Sequence, residues 1–172
     1  MRHATYEMYS DDIRDTMLRA NREAKRRGHT LIGTHHVLIG MWLEPTGLAG
    51  MVLRRCVSEP GHAIRQIRRL SPPRRWRWLR GKLTMSDGLQ RVVDLAVEYA
   101  QDQNHASVGT GGVLLAMLQH DSATRDLLGQ VVYEIDALQA TLTRHLREMM
   151  VEAPGEPVLL DAPGLGDKEG TL

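Results

Sequence analysis

Apolar residues recur at helical spacing in two segments of the chain that lie 76 residues apart. In both segments four apolar positions follow one another at steps of 4, 3 and 4: Ile13, Met17, Ala20 and Ala24 in the first, and Leu89, Val93, Ala96 and Ala100 in the second. Such spacing lines one face of an amphipathic helix. Ser10 and Ser86 stand just before the two segments, where a hydroxyl can accept a hydrogen bond from a free N–H of the first turn. The pattern therefore predicts two equivalent long helices, each with a serine N-cap.

The sequence that follows each predicted helix also repeats. The string GHTLIGTHHVLIGM, residues 28–41, returns as NHASVGTGGVLLAM, residues 104–117. Gly28 and Asn104 tolerate the left-handed conformation that often ends a helix, so both long helices are expected to end there. Thr34 and Thr110 are then expected to cap a second helix in each copy. The chain therefore contains two related helical units.

Further helices are predicted beyond these units. A third short helix follows Gly47 in one copy and Ser122 in the other, and a last helix runs from about residue 132 to 150, where apolar residues recur at steps of 3 and 4. Past this point the pattern stops, and the Gly- and Pro-rich segment 151–172 is expected to be a flexible tail. The pattern as a whole predicts an all-α fold.

The composition supports helix and narrows the class of protein. The chain has 172 residues, is 42% apolar, and contains no Phe and only 4% aromatic residues, a choice that suits helices better than strands. Its single cysteine, Cys56, excludes an internal disulfide and a cysteine-based zinc site. Neither a signal peptide nor an apolar run of membrane-spanning length is found. We therefore expect a cytoplasmic protein, and its strong preference for Arg over Lys is typical of a high-GC bacterial genome.

Charge is divided unevenly along the chain. Residues 1–82 carry 17 Lys and Arg against 7 Asp and Glu, whereas residues 83–172 carry 5 against 14. Part of the excess lies in a basic linker at about residues 71–82, which includes Arg74, Arg75, Trp76, Arg77, Trp78 and Arg80. We favour a solvated linker whose arginines face the acidic second half of the chain. An acidic protein partner, or a nucleic acid or anionic membrane surface, are the alternatives.

Three histidines, His29, His35 and His36, lie close together in the sequence. Neighbouring residues on a helix point about 100° apart, and no Asp, Glu or Cys completes a ligand set, so we expect no metal site. His29 and His105 are equivalent in the repeat, which indicates a structural hydrogen bond at the end of the first helix. No nucleophile, base and orienting acid recur in a known arrangement, so no catalytic residue is assigned and we expect no enzymatic activity.

A phosphate-binding loop is also missing from the sequence. The nearest candidate is APGLGDKEG, but Lys168 is neither preceded by Gly nor followed by Ser or Thr, as a Walker A loop requires. We therefore expect neither ATP hydrolysis nor a bound cofactor.

The string GHTLIGTHHVLIG, preceded by a capped A-x-x-x-A helix and repeated once, resembles the N-terminal domain of ClpC- and ClpA-type AAA+ unfoldases. The resemblance implies an all-α, pseudo-twofold bundle of about eight helices over residues 1–150, with repeat one at about 9–70 and repeat two at about 83–150. It also implies a non-enzymatic protein- or peptide-binding module, here a stand-alone protein without the ATPase modules, that acts as an adaptor, a regulator or a decoy for the Clp proteolytic system. Its partners would be Clp ATPase or protease components, adaptors or substrates. The alternative is a protein that binds nucleic acid or an anionic surface through the basic linker.

The resemblance also implies where a ligand would bind. In ClpC-type domains the motif reads GTEH, and its two glutamates, with a Thr at the start of each first helix, form sites for phosphorylated arginine. The residues at these family positions are Ser10, Thr34, His35, Ser86, Thr110 and Gly111. Because His and Gly cannot pair with a guanidinium group as glutamate does, phosphoarginine is expected to bind weakly or not at all.

Overall fold

Helices dominate the structure, a computed structural model in which residues 7–57, 59–71 and 83–151 are described. Within these ranges the chain forms eight helices: α1 (Asp11–Arg26), α2 (Thr34–Leu43), α3 (Leu48–Arg55), α4 (Pro60–Leu70), α5 (Asp87–Asp102), α6 (Thr110–His120), α7 (Ser122–Gly129) and α8 (Ile135–Val151). Two short strands, β1 (Leu31–Ile32) and β2 (Thr84–Met85), form a parallel pair. The prediction of an all-α bundle with about eight helices is confirmed.

The two repeats have matching helices. α1 and α5 are both 16 residues long, and α5 begins and ends 76 residues after α1, while α6 begins 76 residues after α2. Equivalent positions also fill the core, and the fully buried residues include Ile13, Leu38 and Met41 from the first repeat and Leu89, Leu114 and Met117 from the second. The internal repeat predicted from the sequence is therefore a structural repeat.

The repeats exchange their short extended segments. β1 of the first repeat pairs with β2, which leads into the first helix of the second repeat, so that Ile32 lies opposite Met85. The equivalent contact is a parallel bridge between Tyr9 and Val108, since Tyr9 corresponds to Met85 and Val108 to Ile32 in the repeat. This pseudo-twofold exchange places the start of α1 beside α6 and the start of α5 beside α2.

The second helix of each repeat lies at the centre of the bundle. α1 packs on α2, α5 packs on α6, and α6 also contacts α3 and α8. All residues from Val37 to Trp42 in α2 are buried, as are all residues from Val113 to Leu118 in α6. Burial on every side explains why these two helices lack an amphipathic pattern. Each large side chain that is fully buried stabilises the fold by about 1.5–3 kcal/mol.

Both predicted ends of the long helices are confirmed. Gly28 and Asn104 take positive φ angles of 70° and 55°, the left-handed conformation in which a helix ends without a steric penalty for glycine and with a small one for asparagine. At the start of α5, Ser86 accepts a hydrogen bond from the N–H of Leu89 at 3.3 Å. This serine is therefore an N-cap, as its position predicts.

The expected cap at Ser10 is wrong. Ser10 occupies the N-cap position of α1, but its hydroxyl makes no capping bond; it donates to the carbonyl oxygen of Val108 at 2.9 Å and to the carboxylate of Asp12. Asp12 competes for this hydroxyl, whereas the residue at the same place in the second repeat is Gly88, which has no side-chain acceptor. The two serines are equivalent in sequence but differ in hydrogen bonding for this reason.

The expected threonine caps are also wrong. Thr34 and Thr110 are the first residues of α2 and α6, and the N-caps are Gly33 and Gly109, which have extended backbone conformations. Because the exchanged segments continue to these glycines, the turn into each helix falls one residue earlier than the Gly-Thr pattern indicates. The threonine side chains are therefore available for contacts other than capping.

The last helix starts later than predicted. α8 begins at Ile135 rather than near residue 132. Val132 is buried and its N–H donates to the carbonyl oxygen of Leu128 at 2.8 Å, so it belongs to the turn that closes α7. A buried valine in a turn extends the apolar pattern and makes the helix appear longer in the sequence.

Two predicted segments fall on residues outside the described ranges. The arginine- and tryptophan-rich part of the basic linker, residues 72–82, and the tail after residue 151 lie there, and what was expected of both stays a prediction. Within the described ranges, no single helix is long and apolar enough to cross a membrane. α2 and α3 together reach the length and composition of a span, but they are bent by 83° at the break between them.

Candidate functional site

The six residues at the family's ligand positions form two groups, each drawn from both repeats. The first turns of α1, α3 and α6 meet at what we call the first junction, which contains Ser10, Thr110 and Gly111. The second group, which we call the second junction, consists of the repeat-equivalent residues Ser86, Thr34 and His35; here the N–H of Ser86 donates to the carbonyl oxygen of Ile32 at 2.9 Å, and α2 contacts α7. The pseudo-twofold relation makes the two junctions equivalent in position, so their differences show what each one can bind.

Asp12 fills the first junction. One of its carboxylate oxygens accepts hydrogen bonds from the backbone N–H of Thr110 at 3.0 Å and from the Thr110 hydroxyl at 2.8 Å, and the other accepts from the hydroxyl of Ser10. Burial raises the pKa of Asp12, but the hydrogen bonds from Ser10 and Thr110 outweigh it and hold the pKa below its usual value. The first junction therefore already contains a carboxylate at the start of α6, where the helix dipole favours negative charge.

A second carboxylate, that of Glu44, closes the remaining side of the first junction. Glu44 is buried and accepts hydrogen bonds from the N–H of Thr46 at 3.0 Å, from the Thr46 hydroxyl at 2.8 Å and from the N–H of Gly47. Thr110 in turn accepts from the N–H of Ala49 at 3.2 Å. A Cβ at Gly47 would lie 2.5 Å from the Thr110 hydroxyl and 2.6 Å from Glu44, so only glycine fits between these groups.

Leu48 occupies the space in front of Gly111, the position at which ClpC-type motifs have a glutamate. A Cβ added to Gly111 would lie 2.6 Å from Cδ2 of Leu48 and 3.1 Å from its Cγ. A larger side chain at Gly111 would therefore displace this leucine. Asp12, Glu44 and Leu48 thus place two carboxylates and an apolar side chain in the first junction, a combination that disfavours an anionic ligand.

The second junction lacks a counterpart to Asp12. Gly88 stands at the corresponding position, and a Cβ added there would have no neighbour within 4 Å. Among the described residues, no carboxylate accepts from the N–H of Thr34 as Asp12 does from that of Thr110. The first N–H groups of a helix have no partner within the helix. In the second junction the N–H of Gly33 donates to His36, whereas, within the described ranges, the N–H of Thr34 lacks the carboxylate acceptor that its equivalent, Thr110, has in Asp12.

The rings of His29, His35 and His36 come together beside the second junction. Nε2 of His36 lies 2.6 Å from Nδ1 of His29 and 3.1 Å from Nε2 of His35. The expectation that neighbouring side chains point apart is wrong here, because both rings fold back over the turn before α2: Nδ1 of His36 accepts from the N–H of Gly33 at 2.9 Å, and the His35 ring lies against Gly33. The structural hydrogen bond expected of His29 is present, with His36 as its partner, whereas Nε2 of the equivalent His105 is buried without a hydrogen-bond partner among the described residues.

Burial and mutual repulsion keep His35 and His36 uncharged. Burial, followed by the charges of neighbouring histidines and of Arg27, lowers the pKa of His35 to about 4 and that of His36 to about 3. Asp121 and Glu23 act on His35 in the opposite direction but do not offset burial. At neutral pH the second junction therefore has two neutral rings on the first turn of α2, where ClpC-type motifs have a glutamate followed by a histidine.

A buried ion pair fixes the end of α1, from which His29 extends. Glu23 is only 5% exposed and its carboxylate accepts two hydrogen bonds from Arg68 of α4, at 2.8 Å and 3.0 Å, and one from Arg26 at 2.7 Å. Burial raises the pKa of Glu23, but the hydrogen bond and charge of Arg68, together with Arg26, lower it below its usual value. The bidentate contact gives this pair a defined geometry and ties α4 to α1.

The residues that close the first junction were not identified from the sequence. The repeat itself contained a signal for Asp12, because the equivalent position is Gly88 and the two copies differ there in charge. For Glu44 and Leu48 the sequence contains no comparable signal. Leu48 packs against Gly111 of the other repeat, 63 positions away, and Glu44 accepts from the turn at Thr46 and Gly47 that leads to this contact.

A separate open groove of 740 Å³ runs along α8 and reaches α7. It is lined mainly by polar residues and is crossed by an ion pair between Arg125 and Asp136 at 2.8 Å. None of the six residues at the family's ligand positions lines it. The groove is therefore distinct from both junctions.

Known proteins with similar sequences belong to one family. The Clp repeat (R) N-terminal domain matches residues 8–131 and 84–157. The ATP-binding subunit ClpC of the ATP-dependent Clp protease from Staphylococcus saprophyticus is 27% identical over 138 residues, which cover 80% of this chain but 16% of that protein. The ClpA homolog of Porphyra purpurea is 22% identical over 144 residues, covering 83% of this chain and 17% of that protein. The chain thus spans about a sixth of the length of these relatives.

Solved structures agree on the fold. The N-terminal domain of the chaperone ClpD from Arabidopsis thaliana has a TM-score of 0.68 at 17% identity, covering 83% of this chain and 96% of that domain. A complex of the ClpV N-domain with a VipB peptide has a TM-score of 0.61 at 15% identity, covering 86% and 90%. The fold and its two junctions thus define a double-repeat helical bundle of the Clp N-domain type. The match over most of its length shows that the chain belongs to the Clp repeat N-terminal domain family.

Proposed function

We propose that this chain is a non-enzymatic module that binds proteins or peptides and acts as an adaptor, a regulator or a decoy for the Clp proteolytic system. Membership of the Clp repeat N-terminal domain family supports this proposal, as does the binding of a VipB peptide by the ClpV N-domain. The proposal concerns binding alone, because the ATP-dependent relatives are about six times as long as the matched segment.

The difference between the two junctions carries the proposal. In the first junction the carboxylate of Asp12 accepts hydrogen bonds from the N–H and the hydroxyl of Thr110. In the second junction Gly88 stands at the equivalent position and provides no carboxylate. A partner that supplied a hydrogen-bond acceptor, such as a peptide carbonyl or an acidic side chain, could bind the first turn of α2 in the way that Asp12 binds the first turn of α6. The second junction is therefore the proposed docking point.

The substitution Gly88→Asp tests this assignment. The site has open space for the new side chain, and a carboxylate in the first turn of α5 is compatible with the helix dipole, so the variant should fold. It would place an internal acceptor where Asp12 lies in the first junction. We expect binding of a purified ClpC-type ATPase, measured by biolayer interferometry, to fall about tenfold or more, the change that corresponds to losing one or two hydrogen bonds.

Gly88→Asn is the matched control, since it adds nearly the same volume without the charge. It should weaken binding less than Gly88→Asp does. Equal binding by the wild-type chain and by Gly88→Asp would show that the second junction is not the docking point. Absence of binding to any Clp ATPase, protease or adaptor component would contradict the function itself.

Phosphoarginine is proposed to be a poor ligand of either junction. In the first junction it would meet the carboxylate of Asp12 and the side chain of Leu48, and in the second it would meet the neutral ring of His35 in place of a glutamate. The single substitution His35→Glu should raise affinity for a phosphoarginine peptide in fluorescence anisotropy. Tight binding by the wild-type chain would show that the ligand position has been misplaced.

Binding of nucleic acid through the basic linker stays the alternative function. The residues of the basic linker lie outside the described ranges, so a binding measurement in solution is needed to distinguish this function from binding of Clp components. Binding of RNA or DNA that weakens steeply with salt, as counterion release requires, together with no binding to Clp components, would favour the alternative.

A further inference from the structure

The three histidines beside the second junction converge on one point. A ring nitrogen from each of His29, His35 and His36 lies within 4.8 Å of the other two. His36 is in the middle, with its Nε2 at 2.6 Å from Nδ1 of His29 and 3.1 Å from Nε2 of His35. Three ring nitrogens, each able to donate a lone pair to a metal ion, therefore converge on one small volume.

The fold holds these rings in place through rigid elements. His29 follows the left-handed residue Gly28, and its backbone N–H donates to the carbonyl oxygen of Ala24 at 2.9 Å. His35 and His36 lie on the first turn of α2, a helix that is buried over most of its length. His36 is 1% exposed and His29 is 9% exposed, while His35 is half-buried and faces the surface. The cluster is therefore preorganised on two helices and open on one side.

This donor set matches the chemistry of a transition-metal site. Zn²⁺ binds histidine nitrogen at about 2.0–2.1 Å, so two ligands of a tetrahedral ion lie about 3.3 Å apart. The two distances to His36 differ from this value by less than 1 Å, and the remaining pair of nitrogens, within 4.8 Å, must draw together by up to about 1.5 Å when an ion binds. Imidazole nitrogen also suits Cu²⁺ and Ni²⁺, whereas Mg²⁺ and Ca²⁺ prefer oxygen.

We propose that His29 Nδ1, His35 Nε2 and His36 Nε2 bind one divalent transition-metal ion, with Zn²⁺ as the reference ion. The fourth position of a tetrahedral site lies on the exposed side, next to His35, and is taken by water. Three histidines and a water form a known arrangement for zinc. This inference stands independently of the proposed function, since a metal site does not require a Clp partner.

Metal binding moves one proton within the cluster. Nδ1 of His36 accepts from the N–H of Gly33 at 2.9 Å, so in the metal-free protein the ring proton of His36 lies on Nε2 and is donated to Nδ1 of His29. When the metal takes Nε2, this proton shifts to Nδ1 and the hydrogen bond from Gly33 is lost. The N–H on Nδ1 would then face the N–H of Gly33, and a metal-bound histidine usually donates this N–H to an acceptor, so the turn at Gly33 must move when the ion binds.

Charged neighbours of the cluster partly balance the ion. Asp121 and Glu23 attract positive charge at His35, whereas Arg27 repels it. In the second repeat the equivalent positions are His105, Gly111 and Gly112, so the cluster has no counterpart there. The second repeat is thus an internal control for the metal site.

Titration of the tag-free, chelator-treated chain with ZnCl2 in a calorimeter tests the proposal. We expect one ion per chain, and we expect His35→Gln to weaken binding about tenfold or more, because it removes a ligand. The control His105→Gln changes the repeat-equivalent of His29 and should leave the affinity unchanged. His35 is half-buried and its ring is not part of the apolar core, so this variant is expected to fold, and circular dichroism checks that it does.

Two further readouts keep the test decisive if a variant unfolds. Zn²⁺ at a hundredfold excess over Kd should raise the Tm of the wild-type chain by about 5–10 °C, by linkage of binding to folding. Paramagnetic Co²⁺ should broaden NMR signals of residues 28–36 but not those of residues 104–112. Zinc binding that is equal in the wild-type chain and in His35→Gln, or Co²⁺ broadening centred on another histidine, would overturn the proposal.

Discussion

Removing the carboxylate of Asp12 should open the first junction and destabilise the fold. Asp12 accepts hydrogen bonds from the N–H and hydroxyl of Thr110 and from the hydroxyl of Ser10. These bonds join the first turn of α1 to the first turn of α6, across the boundary between the repeats. The substitution Asp12→Ala deletes all of them and leaves two donors of Thr110, which is fully buried, without their acceptor.

The size of the effect follows from the number and kind of these bonds. A hydrogen bond to a charged group contributes about 1.5–3 kcal/mol, and a buried donor left without a partner costs about 1–3 kcal/mol. Asp12 is partly exposed, so water can replace some of the hydrogen bonds that its carboxylate accepts. We therefore expect Asp12→Ala to lower the free energy of unfolding by about 2–4 kcal/mol. Asp12→Asn keeps one acceptor oxygen and should cost about half as much.

The pH dependence gives a second check on the same residue. The pKa of Asp12 is below its usual value in the folded state, so its ionised form stabilises the fold fully above the pKa of the unfolded chain, about 3.9. That contribution is lost as the pH falls through the lower pKa of the folded state. The difference in stability between the wild-type chain and Asp12→Asn should therefore be constant from pH 7 to 5 and should narrow below about pH 4.

Urea unfolding followed by circular dichroism at 222 nm measures both effects. Asp11→Ala is the matched control, since Asp11 lies in the same first turn but is almost fully exposed and forms a surface ion pair with Arg14; it should change the stability far less. If Asp12→Ala and Asp11→Ala have equal effects, or if the gap between wild type and Asp12→Asn does not narrow at low pH, the carboxylate does not hold the first junction together.

Three further outcomes are expected. Thr110→Val should lower the free energy of unfolding by about 1–2 kcal/mol, because the Thr110 hydroxyl bridges two helices. Thr34→Val should lower it less, because no counterpart of Asp12 lies near Thr34 among the described residues; equal losses in urea titrations would contradict this asymmetry. Arg68→Ala should cost about 2–4 kcal/mol by leaving the buried Glu23 with one exposed partner, and a thermal melt within 1 °C of wild type would refute it. Gly111→Ala should cost about 1–3 kcal/mol by pressing on a leucine side chain 2.6 Å away, and an unchanged urea midpoint would show that this leucine moves freely.

Local patterns in the sequence were sufficient to predict the repeat and seven of the eight helices of the described ranges; α4 was not predicted. The steps of 4, 3 and 4 in α1 and α5, and the left-handed ends at Gly28 and Asn104, depend on neighbouring residues alone. Two copies of the same local pattern also imply equivalent packing, so the all-α bundle and its family could be predicted without coordinates. The errors at Thr34, Thr110 and the start of α8 concern one to three residues at helix ends, where capping depends on what the preceding segment contacts.

Only the tertiary structure decided which residues form each junction. Ser10 and Thr110 are far apart in the sequence but meet because the repeats exchange their extended segments. The apolar pattern within one repeat does not indicate that exchange. The convergence of His35 and His36 likewise depends on a turn that bends both rings back toward Gly33, whereas helical geometry alone places them about 100° apart. The periodicity of apolar residues shows which face of a helix is buried. It does not show which residues pack against that face, or which N–H groups at the helix ends find a partner, because both depend on contacts between segments that are far apart in the sequence.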